Sequence, residues 1–189
     1  TGDEPGIRAT VAANPAASAA YEARSTLRVD VDPTTCSVAS VLRIQPDPGL
    51  SGIITGSSTW PEAIVPTTIG RDRPLDVIPS GTRRSGLPAA SVVEEVRREL
   101  ARMQRRYDFI IIAAPTSYVH ISSGSIIPAP DVILCPRLAH PTVSALKSAV
   151  YNRRGSDLRV HGLVSWFAQN PHPAMRESTR ARAPPLATC

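Results

Sequence analysis

Apolar and polar positions along the chain follow two rhythms, and each change of rhythm marks an element. Phe109 to Ala114 is an unbroken apolar run, the pattern of a parallel strand covered on both faces, and it is expected at the centre of a sheet. Val132 to Cys135 repeats the pattern. From Ser91 to Arg106 the period is helical: Val92, Val96, Leu100 and Met103 form one apolar stripe, and Glu94, Glu95, Arg97, Arg98, Arg102 and Arg105 cover the other face. Ser91 followed by Glu94 reads as a capping box at its start. Thr10 to Arg24 is alanine-rich and helical in propensity, but Pro15 interrupts it, and proline costs about 3 kcal/mol in a helix interior. Pro141 opens a further helix to about Asn152, with Val143, Leu146 and Val150 inward.

Strands are expected near 26–31, 75–78, 109–113, 132–135 and 160–166. Residues 46–56 and 61–74 are dense in proline and glycine and read as turns. Strands alternating with helices in units of roughly 30 residues predict a doubly wound sheet. The expected fold class is therefore α/β, a three-layer α/β/α domain with a mostly parallel sheet over residues 1–170. The polar, proline-rich tail 171–189 is expected to be disordered.

Composition narrows the function classes. The 189 residues are 42% hydrophobic and 20% charged, enough for one aliphatic core. With two tryptophans, four tyrosines and two phenylalanines there is no row of aromatics on which single-stranded nucleic acid could stack. The net charge of +5 is scattered over pairs such as Arg83-Arg84 and Arg153-Arg154, so nucleic acid is not an expected partner. Lys147 is the one lysine, so a site that needs a lysine has one candidate, and Lys147 itself reads as a solvated helix residue. Cys36, Cys135 and Cys189 make no CxxC pair, and His120, His140, His161 and His172 lack ligand spacing, so neither a metal centre nor a disulfide framework is expected. Ser122 to Ser125 lacks the GxSxG of a nucleophile elbow, and Trp166 with Phe167 reads as packing. No apolar stretch approaches the roughly 20 residues of a membrane span, no signal peptide is visible, and a cytoplasmic location is expected. The chain opens on Thr1 and is read as a piece of something longer.

In doubly wound sheets ligands sit at the carboxyl ends of the strands. Three such places carry chemistry here: the segment Gly2 to Thr10, the acids Asp30 and Asp32, and the segment after Ile112. Five stretches stand in a telling order: Thr10 to Asn14, Leu27 to Pro33, Gly49 to Gly56, Leu75 to Gly81, and Tyr107 to Pro115. Together they resemble the bacterial P-loop tyrosine kinases that regulate capsule and exopolysaccharide synthesis, over roughly residues 1–170. The resemblance implies a P-loop fold whose first strand lies outside this chain, with ATP and Mg²⁺ as cofactors. It also implies a membrane-bound polysaccharide chain-length or export protein, or a related kinase subunit, as partner, with a homo-oligomer as a further expectation and the inner face of the membrane as a location reached through that partner.

At the chemistry the resemblance is degenerate. A P-loop reads GxxxxGK[ST], in which glycines let backbone amides close on phosphate, lysine neutralises it and the hydroxyl holds Mg²⁺. In the frame beginning at Gly2, Ile7 replaces the last glycine, Arg8 the lysine and Ala9 the hydroxyl, while Thr10 follows. A frame shifted by one residue stays open, and the implied phosphate-binding set is Gly6, Arg8 and Thr10. The implied metal ligands are Asp30 and Asp32, of which one is expected to face a metal from the strand and the second to join only from the turn. The aspartate expected at the end of the 109–113 strand is Ala113, and Asn170 to Cys189 contains no tyrosine to accept phosphate. Three readings follow: a kinase-like regulatory pseudoenzyme, an active tyrosine autokinase or ATPase, and a relative of the partition and septum-site ATPases.

Overall fold

The computed structural model describes residues 5–32, 37–69, 73–82, 89–114, 131–134 and 159–163. The elements run α1 (Pro5–Tyr21), β1 (Thr26–Asp30), α2 (Ser37–Leu42), α3 (Gly49–Ile54), α4 (Trp60–Ala63), β2 (Val65–Ile69), β3 (Arg73–Ile78), α5 (Ala89–Met103), β4 (Phe109–Ala113), β5 (Asp131–Leu134) and β6 (Arg159–Leu163). Four strands form a sheet in the order β2-β3-β1-β4, and β5 pairs with β6 in a second, parallel pair. β1 runs parallel to both neighbours, with Leu27 opposite Asp76 on one side and Ile110 on the other. β2 is antiparallel to β3, which makes the sheet mixed.

Alternation along these strands splits the core into two layers. Leu27 and Val29 of β1 join Ile78, Leu50, Ile53, Ala63, Leu100 and Tyr107 on the face covered by α3, α4 and α5. Leu75 and Val77 of β3 join Ala9, Ala16, Val38 and Ala113 on the face covered by α1 and α2. The three-layer α/β/α expectation is met.

Several local expectations change. β3 and β1, not β4, are the inner strands of the described sheet. β4 has β1 as its one described neighbour, its Phe109 is 48% exposed, and Ile110 to Ile112 are half-buried. An apolar run reports that both faces of a strand are covered and says nothing of its edges. Helix α1 runs straight through Pro15, which is exposed, so the missing amide is lost on the solvent side while the opposite side packs on β1, β3 and β4. α5 begins at Ala89, two residues ahead of the expected cap, which places Ser91 inside the helix. Leu100 is buried on the sheet and Met103 packs beside it; the side chains of Val92 and Val96 lie outside the described ones. α3, α4 and β2 fall in or at the edge of the stretches read as turns, and α2 lies in a stretch to which no element was assigned.

The expected helix at 141–152, the tail 171–189, and the cysteines, Lys147, Trp166 and Phe167 lie outside the described residues, as do the histidine side chains. Among the described residues no helix is long and apolar enough to cross a membrane.

Candidate functional site

The carboxyl end of β1 gathers most of the polar residues singled out above. β1 ends at Asp30, and the next residue, Val31, donates its amide to the Ala113 carbonyl at 3.0 Å. Asp30 is fully buried and its carboxylate is used by backbone: Oδ1 accepts the Asp32 amide at 3.1 Å and Oδ2 the Val38 amide at 3.2 Å. The aspartate thus ties the end of β1 to the start of α2. Burial is the largest influence on its carboxyl and pushes its pKa up to about 6, although the two amides pull the other way.

Asp32, also buried, accepts a hydrogen bond at Oδ2 from Arg8 Nη2, forming an ion pair between the loop after β1 and the first turn of α1. β1 ends at Asp30, so Asp32 meets Arg8 from the segment after the strand, while Asp30 is held by the backbone of that segment and of α2. Gly6 lies in the first turn of α1 and Thr10 is exposed one turn further on. Arg8, Asp30 and Asp32 are therefore brought together, and Thr10 stands beside them on the helix.

One charged residue escaped the sequence reading. Arg28, in the middle of β1 and on the same face as Asp30, is fully buried beneath α1. Its Nη2 donates to the Ala9 carbonyl, while Nε and Nη1 have no hydrogen-bond partner among the described residues. Burial lowers its pKa from the usual arginine value, opposed by the charge of Asp30. The available signal was an arginine inside the otherwise apolar stretch Leu27 to Val29.

The neighbouring strand end is shaped by backbone. Gly49-Leu50-Ser51 lies against Pro79-Ser80-Gly81: the Leu50 amide donates to the Pro79 carbonyl at 2.8 Å and the Ser51 amide to the Ser80 carbonyl at 2.9 Å. Gly49 and Gly81 both have positive φ, +48° and +81°, and a Cβ on Gly49 would meet the Pro79 carbonyl oxygen at 2.7 Å. Two of the five stretches that carried the resemblance are therefore each other's packing partners. Thr82 closes the turn by donating its amide and hydroxyl to Asp47 Oδ1, both at 2.9 Å. A cavity of about 230 Å³ lined by Leu100, Gln104, Tyr107, Asp108, Ile110 and Ile112 lies on the α5 face and includes none of the charged residues above.

No protein-family model matches the chain, and no curated protein matches it. Solved structures do. The tyrosine kinase domain of BceF is similar over 84% of this chain and 62% of its own length, at 18% identity and a TM-score of 0.65. The kinase domain of the Escherichia coli tyrosine kinase ETK is similar over 86% of this chain and 64% of that one, at 18% identity and a TM-score of 0.65. Cobyrinic acid a,c-diamide synthase from Mycobacterium smegmatis, solved with ADP and magnesium, is similar over 97% and 82% of the two chains, at 20% identity and a TM-score of 0.66. The chain thus spans less than two thirds of either kinase domain. These structures share one α/β fold and differ in chemistry, so the likeness carries the fold and not an activity.

Proposed function

We propose that this chain, which has the fold of the bacterial tyrosine kinase domains, is a degenerate kinase-like regulatory domain of capsular or exopolysaccharide synthesis. In this reading it carries out no efficient phosphoryl transfer. It works in the cytoplasm by docking to a membrane-bound polysaccharide chain-length or export protein or to a kinase subunit, as a monomer or homo-oligomer. The observation that carries the reading is the Arg8–Asp32 pair. Arg8 stands where a P-loop lysine is expected and is turned into the fold onto Asp32. Phosphoryl transfer depends almost wholly on positioned charge, and each such group is typically worth about 3–4 kcal/mol in the transition state. With Arg8 so engaged, Ala9 in place of a hydroxyl and Ala113 in place of a carboxylate, three of those groups are missing.

The second reading, an active autokinase or ATPase using Arg8, Thr10, Asp30 and Asp32, is favoured by one observation: Thr10 is an exposed residue on α1, one turn beyond Gly6. Calorimetric titration with ATP and ADP in the presence of Mg²⁺ separates the two. The regulatory reading expects no binding in the micromolar range and no hydrolysis. Micromolar affinity for Mg·ATP with turnover overturns it.

A further inference from the structure

We infer that Arg8 is a built-in cation that takes the place of a divalent metal at Asp32, so that the acids at the end of β1 are neutralised from within the fold. The inference rests on the reading of this end of the sheet as a former nucleotide site, and it concerns which cation the acids accept.

The donor set decides it. Magnesium demands a near-octahedral shell of oxygens at about 2.0–2.1 Å and keeps several of its waters. The Asp32 side chain is 4% exposed and faces the guanidinium of Arg8, itself 9% exposed. A carboxylate in that position has neither open space for a hydrated ion nor charge left to compensate. Asp30 offers no better footing, because each of its oxygens already accepts a backbone amide. The nearby positions from which a P-loop site would draw more oxygen ligands are Ala9 and Ala113, both buried and apolar. Among the described residues no three side chains of the His, Cys, Asp and Glu types come together. The residues present do not fit magnesium. They fit an arginine, which stays charged at every physiological pH and presents planar donors to a carboxylate.

Tethering also changes what the cation does. A metal ion joins a ligand to the protein and leaves with it, whereas Arg8 is fixed to α1 and joins that helix to the end of β1 whether or not a ligand is present. The acids become a structural clasp, and a phosphate-bearing ligand reaching this end of the sheet gains nothing from a divalent ion.

Manganese, a paramagnetic stand-in for magnesium, tests this directly. The full 189-residue chain is titrated with Mn²⁺ alone, and free Mn²⁺ is followed by electron paramagnetic resonance. The parent is expected to show no site tighter than about millimolar, and Asp32→Asn to leave its isotherm unchanged. Arg8→Ala, which removes the charge and vacates the space beside Asp32, is expected to bind Mn²⁺ at least ten-fold more tightly than the parent, a gain that Arg8→Ala with Asp32→Asn abolishes. Stoichiometric Mn²⁺ binding by the parent that Asp32→Asn removes overturns the inference, as does a folded Arg8→Ala variant with no gain. If Arg8→Ala fails to fold, the comparison of parent with Asp32→Asn still decides between the two outcomes. A metal site in a parent that binds no nucleotide overturns this inference alone; Mg·ATP turnover overturns the functional reading.

Discussion

Arg8 and Asp32, 24 residues apart in sequence, form a buried ion pair that joins helix α1 to the end of strand β1. Removing one partner of such a pair leaves an uncompensated charge in the interior, which costs about 3–5 kcal/mol. Asp32→Ala and Arg8→Ala are each expected to lower unfolding stability by that order in urea titrations. An apolar pair, Arg8→Met with Asp32→Leu, is expected to recover most of the loss. A single-variant cost below about 1 kcal/mol shows that the pair is solvated.

Arg28 makes the opposite prediction. Its side chain is buried with one acceptor, the Ala9 carbonyl, and two donors without partners among the described residues. Replacing it with a residue of similar length and no charge removes a desolvation cost while keeping the volume beneath α1. Arg28→Met is expected to raise stability by about 1–2 kcal/mol. Loss of stability, or loss of α1 by circular dichroism, means that Arg28 has a partner that matters.

The carboxyl of Asp30 gives stability a pH dependence. Its folded pKa of about 6 lies above the unfolded value near 3.9, so between those values the folded state holds a proton that the unfolded state releases. The contribution is complete below about pH 4 and is lost as pH rises through 6. The two units correspond to about 3 kcal/mol at most. Urea midpoints of the parent and of Asp30→Asn, measured from pH 4 to pH 7.5, are expected to diverge: the parent falls relative to the variant over that window. Parallel curves are inconsistent with the shift.

Gly49 and Gly56 both have positive φ, yet their surroundings differ. A side chain at Gly49 meets the Pro79–Gly81 backbone, whereas nothing lies within 4 Å of a Cβ at Gly56. Gly56→Ala is expected to cost about 1 kcal/mol, the strain of the left-handed conformation alone. Gly49→Ala adds a collision with backbone, and a loss above about 3 kcal/mol is expected by thermal denaturation. Equal costs contradict the packing of these two loops.

Tyr107 donates to Asp76 Oδ2 at 2.6 Å, and burial with that bond raises its pKa to about 12. Tyr107→Phe leaves a half-buried carboxylate short of a donor, so a loss of about 1–2 kcal/mol is expected at pH 7. In the parent the phenol's contribution is complete below about pH 10 and lost as pH rises toward 12, so the difference between the two proteins shrinks over that interval. A constant difference to pH 12 argues that the phenol does not titrate there.

The features legible along the chain were local ones. The apolar rhythm of Leu27 to Val31, Leu75 to Ile78 and Phe109 to Ala113 marks strands that form near the expected residues, and the helical stripe through Leu100 and Met103 marks α5. Alternation of these elements was enough for the α/β class, because period and propensity are properties of neighbouring residues. Asp30 and Asp32 were legible as candidates because ligands of a doubly wound sheet bind at the carboxyl ends of its strands. Tertiary structure decided everything that depends on two distant segments meeting. It placed β1 between β3 and β4 and turned the proline-rich stretch at Val65 into an antiparallel neighbour of β3. It closed Gly49 against Gly81, buried Arg28 under Ala9 and bound Arg8 to Asp32. None of these contacts has a periodic signature. Each follows from how layers of side chains pack across the sheet, and a charged residue such as Arg28 or Arg8 carries no mark in sequence of whether it will face water or a buried carboxylate.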